Sequence, residues 1–370
     1  MFLQLLDFLY VICQKRLSSA RYLMTSSLRL VLITAGVSFV INISHGDLNI
    51  VIDPYSSSIA SMLTNLGYMI GILMFCVGCC IEIYERIKGE ASSSKRAKSI
   101  DLRSLTNSPA PKLCDQFEMT IDQAGLHDEL YLEQQSQEPT TDWLSRSCDR
   151  LGDFKLKKLS TMNTHEPMKP LSLGSLAHIP QCFTLGFLVG NRRLVNYYCW
   201  NRDKSRPQKG RWVDTRDARD RGVRLKDEFT LTFKDGQEAS DVTKWGLSIE
   251  ISFGNDHVNF MNDVGLDAVS KLEVKNKDVG NLFSEVAQVE IVSSIRNYIN
   301  STIPSFPNLK EIHLTITGQA SFIMRLGGEF DQNHFQFIKK IHHFEQSSQS
   351  YPWCLVLDPA SNSPVQFEEQ

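Results

Sequence analysis

Glu311-Ile312-His313-Leu314-Thr315-Ile316-Thr317-Gly318-Gln319-Ala320-Ser321 decides the fold. Ile312, Leu314 and Ile316 alternate with other residues, the period of a strand. The strand runs out at Thr317-Gly318, and small and hydroxyl residues lead into a helix that starts near Ser321. Upstream, Val286, Val289, Ile291, Val292, Ile295 and Ile299 recur near one face of a helix over Glu285–Ile299. Pro304 and Pro307 end that helix and lead to the strand. A helix feeding a buried strand is the αβ half of a Rossmann-like crossover, so the class is α/β. Further strands are predicted at Val195–Trp200, Phe229–Phe233, Trp245–Phe253 and Trp353–Leu357, and the chain reads as globular from about Pro170.

An internal repeat extends this reading. Leu188-Val189-Gly190, the strand Val195–Trp200 and Arg211-Trp212-Val213 recur in order as Arg325-Leu326-Gly327, Phe335-Gln336-Phe337-Ile338 and Pro352-Trp353-Cys354. Gly190 and Gly327 are 137 residues apart, and Trp212 and Trp353 are 141 apart. The repeat predicts two fused Rossmann-like halves. Ligands of such sheets sit at the carboxyl ends of the strands, where helix N-termini favour anions. Two facing halves make one composite pocket for a compact, multiply anionic ligand. The expected contacts are Ser252, Asn255, Thr317, Gln319 and Ser321, at strand ends or the next helix start. Arg325, one turn into that helix, is the sixth.

The amino-terminal quarter has another character. No Lys or Arg occurs from Leu30 to Glu85. Ala60 to Ile81 carries no charge and, as a helix, reaches about 33 Å against a hydrocarbon core of about 30 Å. Leu28 to Ser44 is a shorter candidate span, with Arg29 placed to snorkel. Lys15, Arg16 and Arg21 precede the pair, and Arg86, Lys88, Lys95, Arg96, Lys98 and Arg103 follow it. The connecting loop holds Asp47 and Asp53 and no basic residue. The positive-inside rule then predicts a multi-pass membrane protein with both termini cytoplasmic. Gly67-x-x-x-Gly71 is a small-residue pair that lets helices approach, and it is the expected packing surface between copies. The predicted organisation is an interfacial helix over 1–25, a two-span hairpin over 26–86, a cytoplasmic linker over 87–150 and a globular α/β domain over 151–370. Within the linker, Trp143, Leu144, Cys148, Leu151, Phe154, Leu156 and Leu159 approximate a helical stripe.

Composition excludes several function classes. The 370 residues carry a net charge of −3, against bulk binding to long nucleic acid. Nine cysteines, three of them in the apolar run, do not make a disulfide scaffold. No GxGxxG, Walker A, HExxH or GxSxG element occurs, so neither enzyme activity nor a cofactor is expected. Cys76 and Cys79 form a CxxC inside the apolar span, where packing is the commoner role. His342 and His343 are adjacent, and a strand would point them to opposite faces, which disfavours a shared metal. Asp256 and His257 follow a strand and could do acid–base work, although a loop histidine is commonplace. The nine Arg or Lys from Arg202 to Arg224 are offset by Asp203, Asp214, Asp217 and Asp220 and read as a solvated loop. From it Arg202 or Arg206 could reach a phosphate.

His313 to Ser321, then Leu326-Gly327, then Tyr351-Pro352-Trp353-Cys354-Leu355-Val356-Leu357 resembles the closing half of a SAVED domain. The resemblance covers roughly Leu171 to Asp358. It implies two fused CARF-like subunits that sense a cyclic di- or trinucleotide made by a partner synthase in bacterial anti-phage (CBASS) systems. Two spans ahead of such a domain resemble the transmembrane SAVED effectors. The implied partners are the cyclic nucleotide, membrane lipid and further copies of the chain, and the implied outcome is membrane disruption on ligand-induced oligomerisation. Family members often have Pro where Gln319 or Ala320 stands, which leaves the shape of the pocket open. A membrane-tethered phosphodiesterase for the same ligand and an anchor that docks another protein are the alternatives.

Overall fold

The computed structural model describes residues 23–24, 26–31, 58–94, 98–105, 110–116, 128–160, 170–191, 193–201, 212–218, 223–330, 335–361 and 363–370. The chain divides into two units, Met1–Ser93 and Ser94–Gln370.

In the first unit, helix α1 (Ser58–Ser94) runs unbroken for 37 residues. Its described side chains begin at Asn65, and Leu66, Met69, Ile70, Ile72, Leu73, Val77, Ile83 and Tyr84 are exposed. Gly71 and Gly78, seven apart, form a buried line. A Cβ on Gly71 would meet Val31 Cγ2 at 2.5 Å, so this glycine packs against helical residues 26–31 of the same chain. The surface expected to join copies is therefore engaged within the chain at Gly71, because only glycine lets these two backbones approach. Among the described residues no helix is long and apolar enough to cross a membrane. The interfacial helix expected over 1–25 and most of the span expected over 28–44 fall outside the described residues.

The second unit holds two mixed sheets. The elements in order are β1 (Lys98–Arg103), α2 (Leu113–Gln116), β2 (Asp128–Tyr131), α3 (Thr140–Asp153), β3 (Leu171–Leu176), α4 (Ile179–Val189), β4 (Val195–Trp200) and β5 (Trp212–Asp214). Then follow β6 (Thr230–Phe233), β7 (Lys244–Glu250), α5 (His257–Val264), β8 (Ala268–Glu273), α6 (Glu285–Thr302), β9 (Glu311–Thr317), α7 (Ala320–Glu329), β10 (Ile338–Glu345), β11 (Ser350–Leu357) and β12 (Gln366–Glu369). The spatial orders are β2-β1-β3-β4-β5 and β12-β11-β10-β9-β7-β8-β6. The series β2-β1-β3-β4-β5 and β8-β7-β9-β10-β11 match strand for strand. In both, the first four strands are parallel and the last is antiparallel. The duplication is thus borne out as a fold of two Rossmann-like halves.

One boundary changes. The stretch expected to be a linker over 87–150 contains β1, β2 and α3, which are parts of the first half. Polarity hid β1: its Asp101 and Arg103 are buried as an ion pair at 2.9 Å, and Arg103 also donates to the carbonyls of Ala110 and Pro111. The stripe over 143–159 is a real buried face except at Leu156, which is exposed. Residues Phe154–Leu159 wind as a π-helix, whose wider turn throws Leu156 off the stripe.

The halves interlock. Helix α4 of the first half packs on β10 and β11 of the second, and α7 of the second packs on β3 and β4 of the first. The helices cross at glycines. A Cβ on Gly186 would lie 1.9 Å from the carbonyl oxygen of Met324, and one on Gly327 would lie 2.2 Å from that of Phe183. Both Gly186/Gly327 and Phe183/Met324 are 141 residues apart, so the contact is reciprocal about a pseudo-two-fold axis. The repeat partner of Gly327 is thus Gly186, not Gly190, which instead ends α4 with φ 68°. Apolar side chains from both sheets and from α3, α4, α6 and α7 merge into one core.

Candidate functional site

The carboxyl ends of β3 and β9 and the first turns of α4 and α7 meet at a cavity of about 570 Å³, within the range of small-ligand pockets. The pseudo-two-fold runs through it. Ala177, Ile179 and Cys182 line one side, and their equivalents Gly318, Ala320 and Ile323 line the other. Leu105 and Ser252 are a further pair, each two residues past its strand and each donating its N–H to the last carbonyl of the central strand, Leu176 or Thr317. His178 and Gln319, the N-cap residues of α4 and α7, make no side-chain cap. The orphan N–H groups of two helix starts therefore converge on one cavity, the arrangement that favours an anion. Trp200, Phe283 and Phe253 add aromatic faces.

Of the six expected contacts, two line the cavity: Ser252 and Gln319. Gln319 also donates to the carbonyl of Val279 on the loop between β8 and α6, and so closes one wall. The other four do not line the cavity, because each is held by the fold. Thr317 Oγ1 donates to the Phe253 carbonyl at 2.7 Å, and Asn255 Nδ2 donates to Thr315 Oγ1 at 3.2 Å. Ser321 is buried between Gln288 Nε2 at 2.7 Å and Cys199 Sγ at 2.6 Å. Arg325 donates to Glu285 at 3.0 Å and to Gln288 at 3.2 Å, with its guanidinium 4.4 Å from the centre of the Tyr197 ring. Cys199 and Tyr197 belong to the first half and Ser321, Gln288 and Arg325 to the second, so these groups fasten the halves together. Residues not foreseen include Ser175, Cys182, Asn201 and Asp278. Their places depend on which strand ends are brought together, which no local motif records. Burial pushes the Cys182 thiol up to about 11, which keeps it an inert wall.

Arg202 and Arg206 lie outside the described residues, and Asp256, His342 and His343 take structural roles. Asp256 is the N-cap of α5, accepting from the N–H groups of Val258 at 2.9 Å and Asn259 at 3.1 Å. It is therefore engaged in capping. His342 and His343 do face opposite ways. His342 Nε2 lies 2.9 Å from His313 Nδ1, while His343 stacks on Trp353 at 4.7 Å. His313 Nε2 in turn bonds Glu311 at 2.9 Å. His178 Nδ1 bonds Ser104 Oγ at 2.8 Å, and its ring packs edge-on against Trp143, His343 and Trp353.

These histidines are expected to make the fold acid-sensitive. Burial lowers all four, His342 well below the usual value and His178 to about 4, where the neighbouring His343 adds to the effect. In the unfolded chain each takes a proton near pH 6.5. Between pH 6.5 and about 4 the unfolded chain binds more protons, so stability is full above that window and is lost as pH falls through it. His178 alone accounts for about 3 kcal/mol, at about 1.4 kcal/mol per unit. The melting temperature should fall steadily from pH 7 to pH 4.5, and His178→Phe should flatten part of that slope. A melting temperature unchanged over this range would show that the histidines do not set acid stability.

The family model for the SMODS-associated and fused to various effectors (SAVED) sensor domain matches residues 155–357. The model for the SAVED-fused 2TM effector domain matches residues 5–122. Strand β2 and helix α3 fall between the two matches. No curated protein matches the sequence. Among solved structures, the Acinetobacter baumannii Cap4 SAVED/CARF-domain containing receptor with the cyclic trinucleotide 3′3′3′-cAAA is 13% identical. Its TM-score is 0.44, and the alignment covers 86% of this chain and 64% of that one. The same receptor with 2′3′3′-cAAA gives 14% identity, TM-score 0.44 and the same coverage. This chain thus spans less than two thirds of that receptor's length. The sensor model covers more than half of the chain, and the protein belongs to the SAVED family, its sensor fused to a 2TM effector domain.

Proposed function

We propose that the protein is a receptor for a cyclic di- or trinucleotide, and that ligand-driven assembly of its cytoplasmic domains makes a bacterial inner membrane leaky in anti-phage (CBASS) defence. The observation that carries this reading is the cavity, where two uncapped helix starts and the ends of both central strands converge. A ring of phosphates and bases suits such a site: N–H groups meet phosphate oxygens, and Trp200, Phe253 and Phe283 offer faces to bases. Among the described residues the cavity lining includes no histidine, and Asp278 is its one carboxylate.

The membrane arm follows from the hairpin, with both termini on the cytoplasmic side. Two helices enclose no lumen, and lipid leaves no backbone group unsatisfied, so disruption or a pore requires several copies. Ligand must bind the assembled state more tightly than the single chain, or it shifts nothing. The ligand comes from a partner cyclic-oligonucleotide synthase.

The test is calorimetric binding of cyclic di- and trinucleotides to the full chain in detergent. Gln319→Ala should weaken binding about tenfold, by removing a cavity group without touching the core. Arg325→Ala should instead lower stability, since Arg325 holds Glu285 and Gln288. Ligand recovered intact after long incubation excludes the phosphodiesterase. No binding of any ring sinks the receptor reading and leaves the anchor that docks a partner.

A further inference from the structure

The cavity is unequal across its pseudo-two-fold axis. Leu105 and Ala177 stand on one side where Ser252 and Gly318 stand on the other. The second side also holds Asp278, the one carboxylate among the described lining residues. That carboxylate is poorly matched from within the protein. Its Oδ1 accepts only a long bond, 3.3 Å, from the N–H of Gly280. The adjacent Lys277 turns away to Glu250 and Glu273. A carboxylate facing an anionic ring repels it, unless the ligand brings donors to that spot.

A carboxylate offers acceptors only, so the base beside it must present donors. Guanine presents two adjacent ones, N1–H and the 2-amino group, spaced for a two-oxygen acceptor. Adenine and cytosine each offer one amino group beside a ring acceptor, and uracil offers one N–H between two carbonyls. Phe253 and Phe283 line the same cavity as stacking faces. We propose that Asp278 reads the Watson–Crick edge of guanine, so that the ring this sensor takes contains at least one guanine. The proposal rests on the reading of the cavity as a cyclic-oligonucleotide site. One guanine suffices, because no lining residue of the first half carries a carboxylate among those described.

The experiment titrates the full chain in detergent with cyclic di-GMP, cyclic GMP–AMP, cyclic di-AMP and cyclic tri-AMP. Guanine-containing rings should bind at least about tenfold more tightly than all-adenine rings, the discrimination of one bidentate base contact. Asp278→Asn should lower affinity for the guanine rings about tenfold and leave the all-adenine rings equal or tighter. Asp278 is exposed, so the variant should fold as the parent does. An all-adenine ring that binds as tightly as any guanine ring overturns the guanine assignment and leaves the receptor reading standing. So does an equal loss of both classes in Asp278→Asn. Failure of all four rings overturns both.

Discussion

Alanine at Gly186 or Gly327 is expected to destabilise the folded sensor severely. The added carbon would sit 1.9 Å from the Met324 carbonyl oxygen in one case and 2.2 Å from that of Phe183 in the other. Both obstacles are backbone of a packed helix, which cannot swing aside like a side chain. Relief requires α4 and α7 to separate, and these helices lie on each other's sheets, so the shared core opens with them. The cost should reach about 5 kcal/mol, the exceptional end for a single substitution, against a total of about 5–15 kcal/mol. Gly152→Ala is the control. Its Cβ would meet Pro364 at 3.5 Å, an ordinary contact within a helix, so it should be neutral or slightly stabilising. Denaturant unfolding and the yield of folded protein report the difference. A Gly186→Ala chain that unfolds at the parental midpoint would contradict the tight crossing.

Leucine at Gly71 is expected to remove membrane permeabilisation while ligand binding stays intact. Gly71 lies in the first unit and faces Val31, with the Ser27 carbonyl oxygen 3.6 Å from the Cβ position. A leucine pushes α1 and helical residues 26–31 apart yet keeps α1 apolar, so under the proposed membrane arm insertion should survive. The contact lies within one chain, so the loss should appear in every copy whatever its oligomeric state. In the proposed assembly, contacts between copies would use other residues, and exposed Leu66, Met69, Ile70, Leu73 and Val77 form an apolar surface there. Dye entry into cells that produce the ligand measures the effect. Leakage at the parental level, with normal expression, would show that this helix pair is not part of the membrane lesion.

The central strands were readable because their chemistry is local. Val195–Trp200 and Glu311–Thr317 coincide with β4 and β9, and Glu285–Ile299 falls within α6. Strand β1 was not readable. Its buried Asp101–Arg103 pair looks like solvated linker, and only neighbours remote in sequence make it a sheet position. The repeat was seen but phased on Gly190, since a helix-ending glycine and a helix-crossing glycine look alike in sequence. The site was half legible for the same reason. Ser252 and Gln319 follow strands and line the cavity. Thr317, Ser321 and Arg325 have the right residue types in the right order, but hydrogen bonds to Phe253, Cys199 and Gln288 hold them elsewhere. Asp278 and Phe283 come from a loop whose reach no spacing rule records.

The reciprocal glycine crossing is the contact that two copies of a single half would make in a homodimer. In such a dimer every substitution in the pocket would appear twice, and the ligand would meet the same groups on both sides. Joining the copies in one chain lifts that constraint. Leu105 and Ser252 now stand at equivalent positions with opposite chemistry, as do His178 and Gln319. The core cannot drift in this way, because each glycine must still clear the other half's backbone. Fusion thus separates what can evolve freely, the wall of the pocket, from what stays symmetric, the crossing that holds it open.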